Sequence, residues 1–364
     1  MPKGSQVSRF SSMVTPQEWS FSAGRIGILD GWRGIAISLV LLDHISGAIL
    51  RGALGPLPSF GQHGVTLFFV LSGFLITSKL LEKKIDLKQF YMRRFFRLMP
   101  VAWAYLGVVL LIGLIVRQPL LQRVELASCL LFFRNYLGPV GLSLQFWSLS
   151  IEEQFYLVWP GMLLLAGPRR AKWIVALGAA SCAAYRMARW NHFNVRLLSL
   201  HTEVRADALL VGCLLALLVA DASLRARLKP VLRFLALPAA ITVLVCILRF
   251  DMLPPLIECV SIAVLIGASV LHRDSLGAQP LRNPVLTWLG RISYSLYIWN
   301  LPFFLLGTST AARLAMMGAM PLFVLGSYYL IERPLIDLGH RLTKRIPAEN
   351  LLPYPILVNA AVFD

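Results

Sequence analysis

Runs of about 20 predominantly apolar residues recur along this chain, and each is long enough to cross the roughly 30 Å hydrocarbon core of a bilayer as a helix. Of the 364 residues, 57% are hydrophobic and 15% are charged, whereas a soluble domain carries about 25% charged residues. We therefore expect an all-α polytopic membrane protein. Ten spans are predicted, at residues 28–50, 63–81, 98–116, 146–166, 172–188, 205–220, 231–248, 255–272, 291–308 and 312–332.

The distribution of basic residues predicts the orientation of these spans. A net charge of +17 would suggest nucleic-acid binding in a soluble protein, but here Lys and Arg lie mainly in short segments between apolar runs. With the N-terminus in the cytoplasm, the inside segments hold 24 of the 35 basic residues and all eight lysines, as the positive-inside rule requires. We therefore expect both termini in the cytoplasm and no nucleic-acid partner.

The remaining segments set the expected domain boundaries. Residues 1–24 lack the apolar core of a cleavable signal and are predicted to be a cytoplasmic tail, residues 25–335 the membrane domain, and residues 336–364 a second tail. Residues 126–133 are too few to span and are predicted to be re-entrant or interfacial. The five cysteines are scattered without metal-ligand spacing, so we expect neither a disulfide framework nor a metal site.

The first span carries four groups that a bilayer disfavours, namely Asp30, Arg33, Asp43 and His44. A charged group at the centre of a membrane helix costs roughly 2.5–3.5 kcal/mol, so such groups tend to face a protein interior. Arg33 and His44 are eleven residues apart, which at about 100° per residue places them on one helix face, roughly 16 Å apart along the axis. This stripe is either a cation paired with an acid/base, or a packing surface with an anchoring arginine.

The second span contains a notch of small residues, Ser72 and Gly73, among aromatic side chains. Small residues allow helices to approach closely in membranes, so the notch is either a packing site or part of a surface that lines a substrate. His63, at the predicted outer end of this span, is expected to be interfacial.

A basic segment, residues 82–100, precedes the third span and alternates Arg93, Arg94 and Arg97 with aromatic residues. One interpretation is an interfacial helix whose cations favour the anionic inner leaflet. The other is a phosphate site, because a guanidinium binds phosphate oxygens in bidentate fashion and an aromatic ring can stack on an adenine. The residues themselves leave both interpretations open.

Carboxylates enter the fourth span, where Ser150, Glu152, Glu153 and Tyr156 lie near the predicted outer mouth. Glu152 and Tyr156 are i, i+4 neighbours on one helix face, and Glu153 is rotated about 100° from Glu152. A buried carboxylate needs a partner, so these acids are either part of a structural Glu–Arg pair or part of a functional site.

Polar residues of the later spans need partners on other helices. Arg205 and Asp207 are two residues apart, so they point to different faces and each is expected to meet its own partner. Asp251 and Glu258, near the outer ends of the seventh and eighth spans, are expected to be solvated. Asn300 is a polar group deep within the apolar ninth span.

Seven motifs together resemble those of one family, the acyltransferase-3 membrane proteins, which include O-acetylases of bacterial polysaccharides and antibiotic sugars. In chain order they are LDGWRGIAISLVLLDH, FFVLSGFLI, RRFFRLMP, QFWSLSIEEQFYLVWP, RADALLVG, ISYSLYIWN and IERPL. Each motif alone is weak, but seven in order over residues 29–335 are specific. The resemblance implies a bacterial inner-membrane enzyme that transfers an acyl group, usually acetyl, from cytoplasmic acyl-CoA to a sugar hydroxyl.

The resemblance also implies which residues belong to the functional site. They are Arg33 and His44 for the family's Arg-x10-His pair, Ser150, Glu152 and Tyr156 for its Ser-x-Glu-x3-Tyr element, and Arg94 and Arg97 for its Arg-x2-Arg, which Arg93 widens. The family's ninth-span motif usually ends Trp-His, whereas this chain has Trp299-Asn300, so no titrating role is expected there.

Acyl transfer from a thioester needs a base, donors for the developing oxyanion and cations for the CoA phosphates. On this interpretation we expect His44 to be the base, Arg33 to meet phosphate or pantetheine groups, and Glu152 to orient His44 or hold sugar hydroxyls. The residues predicted to bind acyl-CoA are Arg93, Arg94 and Arg97. The residues predicted to bind the acceptor are Ser72, Ser150, Tyr156, Arg205 and Asp207.

The sequence leaves alternatives open for the acceptor, the acyl group and the functional class. We expect a glycan or glycolipid, first an exported polysaccharide or lipopolysaccharide sugar, and second a macrolide-type sugar or a lipid-linked precursor. Acetyl is the expected acyl group, with succinyl or a longer chain as alternatives. The competing class is a transporter of ten helices, although the sequence lacks the internal repeat that many transporters have.

Overall fold

The computed structural model describes residues 23–47, 59–81, 87–138, 141–189, 200–248, 255–305 and 310–344, and within these ranges every regular element is helical. The α-helices are α1 (Ala23–Ile45), α2 (Phe60–Leu81), α3 (Leu87–Ile115), α4 (Arg123–Leu130), α5 (Phe146–Arg189), α6 (Thr202–Ala220), α7 (Ala222–Leu248), α8 (Pro255–Leu271), α9 (Pro284–Leu305), α10 (Thr310–Gly326) and α11 (Arg333–Lys344). Two 3₁₀ turns (Arg134–Tyr136 and Pro280–Arg282) and a π-helix (Ser327–Glu332) complete the list.

Four helical stretches are long and apolar enough to cross a membrane by length and composition, namely Phe60–Leu81, Leu87–Ile115, Ala222–Leu248 and Ala311–Thr343. Large apolar side chains cover the outer surface of the bundle, as at Leu114, Leu165 and Phe234. Such a surface is unfavourable in water and suits lipid. The prediction of an all-α membrane protein is therefore confirmed, while the number of spans stays a prediction.

Helix α5 contains a break that separates the predicted fourth and fifth spans. Gly167 has φ 68° and ψ 162°, a conformation that a side chain would strain, and Pro168 follows it. Proline fits the first turn of a helix because a backbone N–H group there has no acceptor within the helix, so its absence costs no hydrogen bond. One continuous element thus holds two helices, residues 146–166 and 168–189.

Glycines let the central helices α1, α2, α6 and α9 approach one another closely. A Cβ atom at Gly73 of α2 would clash with the carbonyl oxygen of Leu209 on α6, and one at Gly212 would clash with the carbonyl oxygen of Val70. Helix α1 meets α9 in the same way, since a Cβ at Gly290 would clash with the backbone of Asp30. For Gly73 the interpretation as a packing site is therefore correct.

The basic segment 82–100 is mostly helical, because α3 begins at Leu87 and continues through Pro100 into the predicted third span. Helix α11 packs against these first turns of α3, with Gly339 against the Phe96 ring. Residues 123–130, which overlap the segment predicted to be re-entrant or interfacial, form the short helix α4.

The predictions for His63 and Glu258 were wrong. Glu258 is 4% exposed rather than solvated, and His63 is 2% exposed rather than interfacial. Their side chains contact each other, His63 Nδ1 to Glu258 Oε1 at 2.8 Å, because a carboxylate inside a bundle is tolerated only with a partner. The prediction for Asp251 falls outside the described residues.

Candidate active site

A cluster of charged groups, which we call the central cluster, lies where α2, α3 and α5 meet. Arg94 of α3 donates to Glu153 Oε1 from Nε at 2.9 Å and from Nη2 at 2.7 Å. The same Nη2 lies 3.6 Å from Glu152 Oε2, and the guanidinium carbon lies 3.1 Å from the centroid of the Tyr156 ring. Arg94 therefore contacts both members of the predicted Glu152–Tyr156 face as well as Glu153.

Helix α2 completes the central cluster, since the Ser72 hydroxyl donates to Glu152 Oε1 at 3.2 Å. Arg33 of α1 lies within electrostatic range of Glu152 and Tyr156. Two carboxylates thus face two guanidinium groups in a site that is largely removed from solvent, where such interactions are stronger than in water.

The central cluster lies deeper in the bundle than predicted. Ser72 is near the middle of α2 and Arg33 is near the middle of α1, which begins at Ala23. Glu152, predicted at the outer mouth, is placed beside Ser72. Arg94 was predicted to lie in a segment before the third span. In the structure α3 begins at Leu87, so Arg94 lies within the helix and at the level of Glu152 and Glu153.

The three arginines predicted to bind the cofactor point in different directions and do not form one phosphate-binding group. Arg94 is occupied by Glu153. Arg93 donates from Nε to Thr343 Oγ1 of α11 at 2.8 Å, and Arg97 is exposed. A helix distributes consecutive residues around its axis, so residues that are close in sequence need not converge.

A second set of charges, which we call the inner mouth, surrounds Asp30 of α1. Arg33 Nη1 lies 3.3 Å from Asp30 Oδ1, and the exposed Arg97 and Arg291 are within electrostatic range of the same carboxylate. Sequence reasoning did not single out Arg291. The sequence feature that could have identified Arg291 is its position next to Gly290, just before the ninth-span motif. At Gly290 helix α9 packs against the backbone of Asp30.

His44 lies at the far end of α1, about 16 Å along the axis from Arg33. Its Nδ1 lies 2.5 Å from Asn300 Oδ1 of α9, and its ring centroid is 5.6 Å from that of Phe304. The partner of His44 is therefore Asn300 and not Glu152, whose described contacts are Ser72 and Arg94. The predicted orientation of His44 by Glu152 is wrong, because Glu152 lies at the level of the middle of α2.

Other polar side chains form hydrogen bonds between helices elsewhere in the bundle. Ser148 Oγ and Tyr297 Oη are 2.6 Å apart. Arg205 donates from Nη2 to Thr66 Oγ1 at 3.1 Å, and its guanidinium carbon lies 5.8 Å from the ring centroids of both Phe69 and Trp147. Arg205 is 9% exposed, so this cation is held inside the bundle beside aromatic faces.

The two remaining residues predicted to bind the acceptor also have partners within the protein. Asp207 accepts from Arg186 Nη2 at 2.6 Å, and Ser150 accepts from the backbone N–H of Arg134 at 3.2 Å. The prediction that Arg205 and Asp207 meet different helices is confirmed, since their partners are on α2 and α5.

Comparison with known proteins gives a consistent family assignment. The family model described as an acyltransferase domain, acyltransferase-3, matches residues 26–332. The peptidoglycan O-acetyltransferase OatA of Listeria monocytogenes is 28% identical over 328 residues, which cover 79% of this chain and 51% of that protein. YrhL of Bacillus subtilis, provisionally named a peptidoglycan O-acetyltransferase, is 28% identical over 359 residues, covering 86% of this chain and 55% of its own.

A protein of Staphylococcus aureus (strain COL), provisionally named an O-acetyltransferase, is 30% identical over 311 residues, covering 75% of this chain and 49% of its own. The chain thus spans about half the length of these relatives. No solved structure gives a significant match. The matched range runs from α1 to the end of the π-helix and includes the central cluster, the inner mouth and His44, so the resemblance noted in the sequence is confirmed and the chain belongs to the acyltransferase-3 family of membrane acyltransferases.

Proposed function

We propose that this chain transfers an acyl group, most simply acetyl, from acyl-CoA to a sugar hydroxyl of a bacterial cell-envelope glycan. The observation that carries the proposal is the arrangement on α1, where Arg33 lies at a buried charged cluster and His44, about 16 Å away, contacts the neutral side chain of Asn300. This separates a site for binding an anionic donor from a site for proton transfer.

The proposal includes ten membrane spans with both termini in the cytoplasm of a bacterial inner membrane. It is supported by the helices, since each of the ten predicted segments is helical in its described part, apart from the last residue of two of them. It is also supported by the basic residues, because this orientation places every lysine on the cytoplasmic side. In this arrangement the inner mouth faces the cytoplasm, and His44 faces the opposite side.

The donor enters at the inner mouth. Arg33, Arg97 and Arg291 supply three cations there against the carboxylate of Asp30, and the two exposed arginines are available to a phosphate. The pantetheine arm then extends along α1 past Arg33. The separation of about 16 Å between Arg33 and His44 is one that an extended arm can bridge.

The chemistry takes place at His44. The imidazole accepts the proton of the sugar hydroxyl, the hydroxyl oxygen forms a bond to the thioester carbonyl carbon, and the carbon–sulfur bond breaks. The departing thiolate takes the proton back from the imidazolium, so the products are the O-acyl sugar and free CoA. Glu152 is 20% exposed and retains oxygen lone pairs for a hydroxyl or amide donor of either substrate.

Peptidoglycan is the first acceptor to test, because the name of the Listeria relative specifies peptidoglycan O-acetylation. Lipopolysaccharide or exopolysaccharide sugars, and lipid-linked precursors, are the other glycan classes. The test is mass spectrometry of muropeptides and of the other surface glycans from cells that lack the gene, cells that are complemented, and cells that carry His44→Ala.

Loss of an acyl mass from one glycan in both the deletion and the His44→Ala strain is expected. Wild-type acylation in the His44→Ala strain would refute His44 as the base. No change in any glycan would refute the acceptor class. The purified protein would then be tested for acyl transfer to a small sugar or a lipid. Transfer would show that the enzyme has a different acceptor, whereas a transporter turns over no acyl-CoA.

A further inference from the structure

We propose that Asn300 is a positioning residue that holds His44 in the tautomer with the proton on Nδ1, so that Nε2 is the basic nitrogen. The role in catalysis rests on the proposed function, but the tautomer does not. The inference concerns the position at which this chain has asparagine and the family usually has histidine.

The orientation of the Asn300 amide is set by its own helix. Its Nδ2 donates to the carbonyl oxygen of Leu296 at 3.0 Å and to that of Tyr297 at 2.7 Å, which uses both amide hydrogens. If the amide were turned over, Oδ1 would face the two carbonyl oxygens, and the hydrogens on Nδ2 would lose these two acceptors. Oδ1 must therefore be the atom that faces His44, at 2.5 Å from Nδ1.

An amide oxygen can only accept a hydrogen bond, so the nitrogen that faces it must donate. In a neutral imidazole one ring nitrogen carries the proton and the other carries a lone pair. Nδ1 of His44 therefore carries the proton, and the lone pair is on Nε2. Among the residues that the structure describes, none makes a hydrogen bond to Nε2, and the side chain is only half-buried.

This arrangement suits a base that accepts and then returns a proton. When Nε2 takes the proton of the acceptor hydroxyl, the ring becomes an imidazolium and its Nδ1–H bond to Oδ1 becomes charge-assisted and stronger. When the thiolate leaves, it takes the proton from Nε2, and the ring returns to its starting tautomer. The asparagine amide does not titrate, so this orientation of the base does not depend on the protonation of a second group.

The first experiment reads the tautomer directly, without requiring activity. The full chain is labelled with ¹⁵N-histidine, purified in detergent and studied by NMR at a pH where imidazole is neutral, and the His44 signals are identified by their loss in His44→Gln. We expect a protonated Nδ1 and an unprotonated Nε2. Asn300→Leu, which removes the acceptor at similar volume, is expected to shift the ring to a mixture of tautomers.

A matched control removes a different buried hydrogen bond. Thr77→Val breaks the bond from Trp159 Nε1 to Thr77 Oγ1, 2.9 Å long, which joins α2 to α5 rather than α1 to α9. It should leave the His44 signals unchanged, which separates loss of the acceptor from general loosening of the bundle. A wild-type protein with the proton on Nε2, or an Asn300→Leu protein with unchanged tautomer, overturns the inference.

The second experiment tests the role in acyl transfer. Asn300→Leu should lower kcat by about 10- to 100-fold, with KM for acyl-CoA unchanged. The loss should be smaller than the roughly 10²–10⁴-fold that a positioned base contributes, because the base itself is still present. Asn300→Asp keeps an acceptor oxygen and should restore most of the rate. If His44→Ala transfers acyl groups at the wild-type rate, the proposed function of His44 fails while the tautomer assignment stands. If only the tautomer differs from expectation, the inference on Asn300 fails alone.

Discussion

The two adjacent acids of α5 are predicted to differ in what they do, and replacing each by glutamine separates the roles. Glu153 accepts two hydrogen bonds from Arg94 and its side chain is 10% exposed, whereas Glu152 lies 3.6 Å from Arg94 and accepts from Ser72. We expect Glu153→Gln to reduce stability and Glu152→Gln to reduce acyl transfer.

The size of the stability effect follows from this geometry. Removing one partner of a buried ion pair costs about 3–5 kcal/mol, because the remaining charge is left without compensation. Here Arg94 keeps Glu152 as a second counter-ion at 3.6 Å, and its side chain is 16% exposed, so we expect about 2 kcal/mol for Glu153→Gln. The shift is roughly 2–4 °C per kcal/mol for a domain of 150–250 residues and smaller for a longer chain, so at about 2 °C per kcal/mol the unfolding temperature should fall by about 4 °C.

The assay is thermal unfolding of the purified proteins in one detergent, followed by intrinsic tryptophan fluorescence. Glu203→Gln is the matched control, because that carboxylate is 42% exposed and its removal should change the unfolding temperature little. If Glu153→Gln unfolds at the wild-type temperature while Glu152→Gln is the less stable protein, the assignment of Glu153 as the structural partner of Arg94 is refuted.

Three further predictions follow from other parts of the bundle. Gly73→Ala should cost about 1–3 kcal/mol because its Cβ clashes with backbone of α6, whereas Gly107→Ala, with open space around the added atom, should stabilise by about 0.5–1 kcal/mol; both are measured by thermal unfolding. A hydrogen bond from the Ser223 hydroxyl holds the pKa of Asp221 below its usual range. The contribution of this carboxylate to the free energy of unfolding is therefore complete above a pH of about 4 and is lost as the pH falls further. The difference in unfolding temperature between wild type and Asp221→Asn should therefore be largest near neutral pH and shrink on acidification; a difference independent of pH would contradict this. Arg291→Gln should raise KM for acyl-CoA several-fold at unchanged kcat, and steady-state kinetics with an unaltered KM would exclude this residue from donor binding.

The positions of the helices were predictable from local information. Apolar runs near the thickness of a bilayer located the helices, and the break at Gly167 lies in the gap between the predicted spans 146–166 and 172–188. The ends were less accurate, as at α3, because a basic amphipathic stretch and the apolar stretch after it can form one helix or two elements.

The candidate site was predictable only in part. Helical periodicity places Glu152 and Tyr156 on one face, and Arg94 contacts both. The same periodicity showed that Arg205 and Asp207 need different partners, without saying which. The burial of Glu258 against His63 was not predictable, because a position near a helix end does not show what packs over it.

Sequence by itself determined the class of this protein, the placement of its helices and the ordered motifs of its family, because hydrophobicity and helical periodicity are local properties of the chain. Tertiary structure decided the pairings, namely Arg94 with Glu153 and His44 with Asn300, which join residues 59 and 256 positions apart. Each pairing depends on which helices are neighbours and on how closely the glycines let them approach. A hydrogen bond needs its two atoms within about 3 Å, and only the packed bundle sets such distances between helices.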